Sequence, residues 1–310
     1  MKTSVGLKDY KMKILVINPH KKHDYLASVI IEGLKKLDIE LYYTDQGNGA
    51  DKIISDDLFI EHYKSCDFIF AIWGKSIYNG VPAPKFHLID RVNGWNKTAY
   101  IDGSEYNYTA FKGRTTELLN PAFFNKCKWY FKRECLPIHV EQGVIPLPFA
   151  AVDSDFYKGN NIENKTIDVF CSFGQTDTGL RKVAMKACNE LKSESYNIVT
   201  DIVSNYFETI QKSYITIDAH GGGECNARAF QIMANKSCLF MEKYNIYIPN
   251  LLPGKHYVYW TSKDHLKSVI KHYLNNKEYL NKIIKDSYNN LLEFHTSEKR
   301  VKYMLEKMML

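Results

Sequence analysis

At 310 residues, 45% of them hydrophobic and 25% charged, the chain has a globular rather than a disordered composition and the length for two domains of ordinary size. Its formal net charge of +6 is spread over many lysines, which reads as a solvated surface that permits an anionic partner without demanding one. The first apolar run, Ile14-Leu15-Val16-Ile17, is too short for a signal sequence or a membrane span. The seven cysteines show no Cys-x-x-Cys spacing, so a cytoplasmic protein with reduced core thiols and no structural zinc is expected.

The first half alternates strand-like and helix-like segments. Lys13 to Asn18 reads as a buried strand entering the loop that carries His20, and Leu26, Val29, Ile30, Leu34 and Leu37 follow at close to a helical period. Further strands are predicted at Ile39 to Tyr43, Asp67 to Trp73 and Lys97 to Asp102, with shorter ones at Lys128 to Phe131 and Val144 to Leu147. The stretch from Pro148 to Lys165, rich in Pro, Gly, Asn and acidic residues, reads as an interdomain linker.

The alternation then restarts. Strands are predicted at Thr166 to Ser172, Asn197 to Asp201, Tyr214 to Ala219 and Ser237 to Met241, and helices at Leu180 to Leu191, Ser204 to Lys212 and Glu224 to Asn235. From Lys263 the chain reads as helical almost to its end. This is an α/β protein: an N-terminal Rossmann-like domain over 1–150, a C-terminal one over 151–295, and a helix over 296–310 that can pack back on the first domain.

The segment from Ile217 through His220-Gly221-Gly222-Gly223-Glu224 to Ala234 carries the most chemistry. A strand that ends in glycines and enters a helix lets backbone N–H groups approach an anion, and the helix dipole favours negative charge there. The bland alternative, a tight turn, needs fewer than three glycines. Arg228, one turn after Glu224, can reach the same anion with its planar fork of donors. Gln231, three residues further, can hydrogen-bond a ribose hydroxyl.

These residues resemble a family. Arg228-Ala229-Phe230-Gln231-Ile232-Met233-Ala234-Asn235-Lys236 is similar to the Arg-x-Phe-Glu-x-x-Ala-x-Gly stretch of group-1 glycosyltransferases, in particular their spore-maturation-protein-like branch, with Lys236 where the glycine stands. Leu252-Pro253-Gly254-Lys255 with Tyr257-Val258-Tyr259, Phe294-His295-Thr296, the opening Ile167-Asp168-Val169 with Gly174 and Arg181, and Pro146-Leu147-Pro148 with Val152-Asp153 extend the resemblance through the second half. It implies a GT-B fold, two Rossmann-like domains facing a cleft. It also implies metal-free transfer from a nucleotide-diphosphate sugar, UDP-sugar first, with no other cofactor.

Donor-binding residues implied or read directly are Gly174, Arg181, His220, Gly221, Gly222, Gly223, Glu224, Asn226, Arg228 and Gln231. The glutamate that family members are expected to use for the donor ribose stands here as Gln231, and the upstream glutamate of retaining members falls at Gly223, next to Glu224. An inverting reaction needs a general base for the acceptor hydroxyl, for which His20, Asp102 and Glu105 follow the first and fourth strands. Asp153-Ser154-Asp155 imitates a metal-binding Asp-x-Asp but lies in the linker. The acceptor is left open among a glycan, a small molecule, a protein and modified DNA. A UDP-sugar epimerase and a silent nucleotide-sugar-binding module are the alternatives to transfer.

Overall fold

A computed structural model describes residues 11–17, 25–45, 47, 50–73, 85–104, 119–159, 164–174, 179–221 and 223–310. The first unit runs β1 (Lys13–Ile17), α1 (Tyr25–Lys35), β2 (Glu40–Tyr43), α2 (Phe59–Ser65), β3 (Phe68–Ile72), α3 (His87–Arg91), β4 (Thr98–Asp102), α4 (Pro121–Phe124), β5 (Trp129–Lys132), α5 (Pro137–Glu141) and β6 (Ile145–Pro146). Its six strands pair in parallel in the order β2-β1-β3-β4-β5-β6. Residues 14–17 are buried without a polar face, because helices cover both sides of a parallel sheet.

The second unit runs β7 (Ile167–Phe170), α6 (Gly179–Lys192), β8 (Ile198–Val199), α7 (Tyr206–Lys212), β9 (Ser213–Asp218), α8 (Ala227–Ala234), β10 (Cys238–Glu242), β11 (Val258–Trp260), α9 (Lys263–Leu274), α10 (Lys277–Phe294) and α11 (Ser297–Met309). Its sheet is also parallel, in the order β11-β10-β9-β7-β8. The chain direction of winding reverses between β7 and β9, and the carboxyl ends of strands at such a reversal bound the crevice where doubly wound sheets hold ligands.

The linker is packed rather than loose. Phe149 to Val152 are buried in the cluster that joins Ile14 and Leu34 of the first unit to Phe170, Phe230 and Met304. Ala151 N–H donates to the His295 carbonyl (2.8 Å), and Ser297 N–H donates to the Ala151 carbonyl (2.9 Å), so the outward crossing and the return crossing lie side by side. The buried Arg300 closes this seam with Nη2 on the Phe149 carbonyl and on His295 Nδ1, both at 2.8 Å. The segment makes the crossing between the two units, with residues 149–152 buried and Asp153, Ser154, Lys158 and Gly159 exposed.

After this seam α11 lies along α1. Gly33 is the close approach: a Cβ there would sit 2.2 Å from the Ser297 carbonyl oxygen and 2.6 Å from Val301 Cγ2. A backbone oxygen at a helix start cannot step aside, so Gly33→Ala is expected to destabilise by about 1–3 kcal/mol, the ordinary cost of overpacking. Thermal or urea unfolding of the variant reads this directly; an unchanged midpoint would mean that α11 is not seated on α1.

All seven cysteines are free, six of them buried. No described helix is long and apolar enough to cross a membrane.

Candidate active site

The carboxyl ends of β7, β9 and β10 deliver Phe173 and Gly174, Asp218 to Gly221, and Glu242 to one edge of the second sheet, where α6 and α8 begin. Gly221 N–H donates to the Gly223 carbonyl (3.1 Å), closing the turn, and the Asn226 side-chain amide donates to the Ala219 carbonyl (3.3 Å) instead of capping α8. A Cβ on Gly221 would stand 2.7 Å from Arg181 Nη2 and 3.3 Å from Asn226 Oδ1. The glycine is what lets a guanidinium lie against the turn.

Two cations meet over one ring. The Arg228 guanidinium lies 4.8 Å from the centre of Phe173 and 5.5 Å from that of Tyr206, and Arg181 lies 5.4 Å from Phe173 on its own approach. The cation–π attraction orients both forks. Arg228 Nη1 is buried and has no hydrogen-bond partner, which is costly for a charged donor and marks a place for an acceptor.

Carboxylates temper that charge. Asp218 is buried, which pushes its carboxyl up to about 6 despite the pull of Arg228 and Arg181. Glu242 is pushed by burial to about 7, with Asp218 and Glu224 adding to the rise and the His220 N–H opposing it. Both acids hold protons more tightly folded than unfolded. Their contribution to stability is therefore full below about 4, their unfolded range, and is lost as pH rises through about 6 and 7. The Asp218→Asn/Glu242→Gln double variant is expected to gain thermal stability relative to the parent between pH 5 and 8; a parallel pH dependence of the two proteins would show that these groups are not perturbed.

Of the residues expected at the donor site, Arg181, His220, Gly221, Asn226 and Arg228 come together here. At Gly174 a Cβ would meet nothing within 4 Å, so space does not require that glycine. The Gly223 end of the turn is filled from the other domain: a Cβ there would lie 2.6 Å from Glu134 Oε1 and 2.8 Å from Arg133 Nη2, and Glu224 N–H donates to Glu134 Oε2 (2.8 Å). The Glu224 side chain is engaged by the loop after β10. Its carboxylate accepts from Asn245 N–H (2.5 Å), the Asn245 amide (3.2 Å) and Ile246 N–H (3.1 Å), fixing the loop after β10.

Gln231 is also engaged elsewhere, its amide donating to Asp155 Oδ1 (2.8 Å), whose other oxygen accepts from Tyr25 Oη–H and from Val152 N–H (3.0 Å). Asp155 thus serves the seam between domains, and Asp153 pairs with Lys36 (2.5 Å). Among the described residues no group of three or more His, Cys, Asp or Glu converges on a metal-sized space.

In the first domain Asp102 ends β4 fully enclosed. It accepts from Tyr130 Oη–H (2.6 Å), Lys132 Nζ (3.1 Å) and Ser104 N–H (2.9 Å), and although burial raises its carboxyl, the Lys132 charge and these donors hold it below the ordinary range. With its oxygens so occupied it anchors the start of the loop after β4. His20, Glu105 and Gly222 lie outside the described residues.

Sequence reasoning passed over Glu242, Asp218, Phe173 and the Arg133-Glu134 pair. Glu242 had a legible signal, a lone carboxylate closing the apolar run Ser237 to Met241 at the carboxyl end of a strand. The other contacts arise between segments far apart in sequence.

Comparison with known proteins agrees with this fold. The chain resembles a glycosyltransferase from Rickettsia africae ESF-5 with a TM-score of 0.64 at 11% identity, over 96% of this chain and 98% of that one. It resembles an alpha-glucosyltransferase solved with UDP-glucose and DNA containing an abasic site (TM-score 0.60, 10% identity, 97% and 100% covered). HepE from Anabaena, solved with UDP and glucose, is similar at TM-score 0.60 and 7% identity, over 96% and 99% of the chains. No curated protein matches the sequence.

Two parallel-sheet domains whose strand ends meet across Glu134 and the glycine turn, with these likenesses, define the GT-B fold. Residues 198–306 match the family described as glycosyl transferase-like. That match begins at β8 and runs through the glycine turn and α8 into α11.

Proposed function

We propose that this protein transfers a sugar from a nucleotide-diphosphate sugar, a UDP-sugar first, to an acceptor hydroxyl, and that it does so without a metal. The observation that carries the reading is the pair of guanidinium groups, Arg181 and Arg228, gathered over Phe173 beside Gly221, with a buried donor on Arg228 left open. As the bond between the anomeric carbon and the diphosphate oxygen breaks, negative charge grows on the leaving diphosphate. Fixed guanidinium groups and the amino end of α8 stabilise that charge more than they stabilise the bound donor, which lowers the barrier. The UDP and UDP-glucose complexes of similarly folded proteins support the same ligand class.

A thermal-shift series tests it: UDP, other nucleoside diphosphates and their sugars, each with and without a chelator. UDP at about 100 times its dissociation constant is expected to add about 2.7 kcal/mol of stability, unchanged by chelation. If no nucleoside diphosphate stabilises the protein, the reading fails; a chelator-sensitive shift would remove its metal-free part.

For the acceptor, modified DNA is the second reading. It is favoured by the likeness to a glucosyltransferase bound to DNA and by the +6 net charge. Retardation of duplex DNA in a gel, weakening steeply with salt, supports it; no retardation at low salt rejects it.

A further inference from the structure

His220 leaves β9 with both its backbone and one edge of its ring turned to Glu242 at the end of the neighbouring strand. The His220 N–H donates to Glu242 Oε2 (3.1 Å), and ring Nδ1 stands 3.5 Å from Oε1. The backbone bond fixes the carboxylate, so its second oxygen is held on the Nδ1 side of the ring. The opposite ring atom, Nε2, is buried and has no hydrogen-bond partner. It lies one residue from Gly221, against which Arg181 rests.

We propose that Glu242 is a positioning residue that holds the neutral His220 in its Nδ1-protonated form, so that Nε2 offers a lone pair to a hydroxyl of the sugar being transferred. The inference rests on the donor reading above for its ligand, but the tautomer itself does not. A carboxylate near Nδ1 favours a proton there over one on Nε2, and the ring is uncharged near neutrality because burial lowers its affinity for a second proton. An imidazole without a fixed proton would present donor and acceptor by turns to the same hydroxyl. Fixing it selects a sugar whose hydroxyl donates.

Two other charges face the pair, Asp218 from β9 and Glu224 beyond the turn, while Arg181 from α6 and Arg228 from α8 act on Asp218. Asp218 and Glu224 raise the Glu242 carboxyl together with burial, so the hold on Nδ1 weakens when Glu242 takes up a proton near pH 7. The Nδ1 preference is expected to be full at pH 8 and reduced at pH 6.

Nitrogen-15 spectra of histidine-labelled protein, assigned with His220→Gln, read the tautomer at pH 8 without any ligand. The Nδ1–H form is expected in the parent, and a mixture in Glu242→Gln, which keeps the size and loses the charge. A parent in the Nε2–H form, or a tautomer unmoved by Glu242→Gln, overturns the proposal whether or not the protein binds UDP. Because the parent spectrum alone decides the first point, poor folding of the variant does not protect the idea. In the same preparations, Glu242→Gln is expected to weaken the tightest-binding UDP-sugar about fivefold while leaving UDP within twofold; equal losses for both overturn the assignment of Nε2 to the sugar. Failure of UDP to bind at all would instead sink the donor reading and leave the tautomer standing.

Discussion

Glu134→Ala is expected to lower stability by about 3–5 kcal/mol, the range for breaking a buried ion pair from one side. The Glu134 carboxylate is fully buried beside Arg133, whose Nε lies 3.3 Å from Oε1, and it accepts the Glu224 N–H across the domain boundary. Removing it takes away a counter-charge of a buried guanidinium and the acceptor of a buried amide together. The midpoint of thermal unfolding should fall by on the order of 10 °C. Glu134→Gln keeps an acceptor for Glu224 N–H and should lose less. If alanine and glutamine behave alike, the amide bond across the boundary contributes little and the ion pair alone matters.

Arg228→Ala should weaken UDP binding by about 10- to 150-fold, the equivalent of one charge-assisted hydrogen bond of about 1.5–3 kcal/mol. Arg228→Lys keeps the charge but not the planar fork, and is expected to fall between. Calorimetric titration of UDP gives the three constants. The alanine variant also removes a cation that restrains Asp218, so the Asp218 carboxyl should rise above about 6. A dissociation constant within twofold of the parent would exclude Arg228 from the diphosphate site.

The strands of both sheets apart from β11 were legible because buried parallel strands are short apolar runs, as Lys13 to Ile17 and Cys238 to Glu242 are. The long helices α6, α9, α10 and α11 announced themselves by period. Short helices such as α2, α3 and α5 did not, since five to seven residues are too few to establish a period. The glycine turn and its two arginines were readable as an anion site from residue type alone. What the turn's flanks do was not. Glu224 is adjacent to the cradle in sequence, yet its carboxylate is bound by the loop after β10, and Gln231 faces Asp155, 76 residues away. Glu134 lies 90 residues from the amide it accepts. Periodicity and spacing describe one element at a time, and these pairings form only when separate elements pack together.

The paired crossings at Ala151 and Thr296 bear on how such a cleft can admit a ligand. A single tether leaves two bodies free to turn about three axes. Two tethers bonded side by side leave chiefly the swing about the line through them, as two pins do for a door. Because α11 beyond the second pin is seated on α1, the end of the chain travels with the first domain and not with the one it follows in sequence. A swing about that line would leave Ala151 and Thr296 nearly in place and would part the Glu134 carboxylate from the glycine turn and the Cys135 carbonyl from Tyr247 N–H (2.7 Å). The latch of the door is thus built into the same turn that would receive the diphosphate.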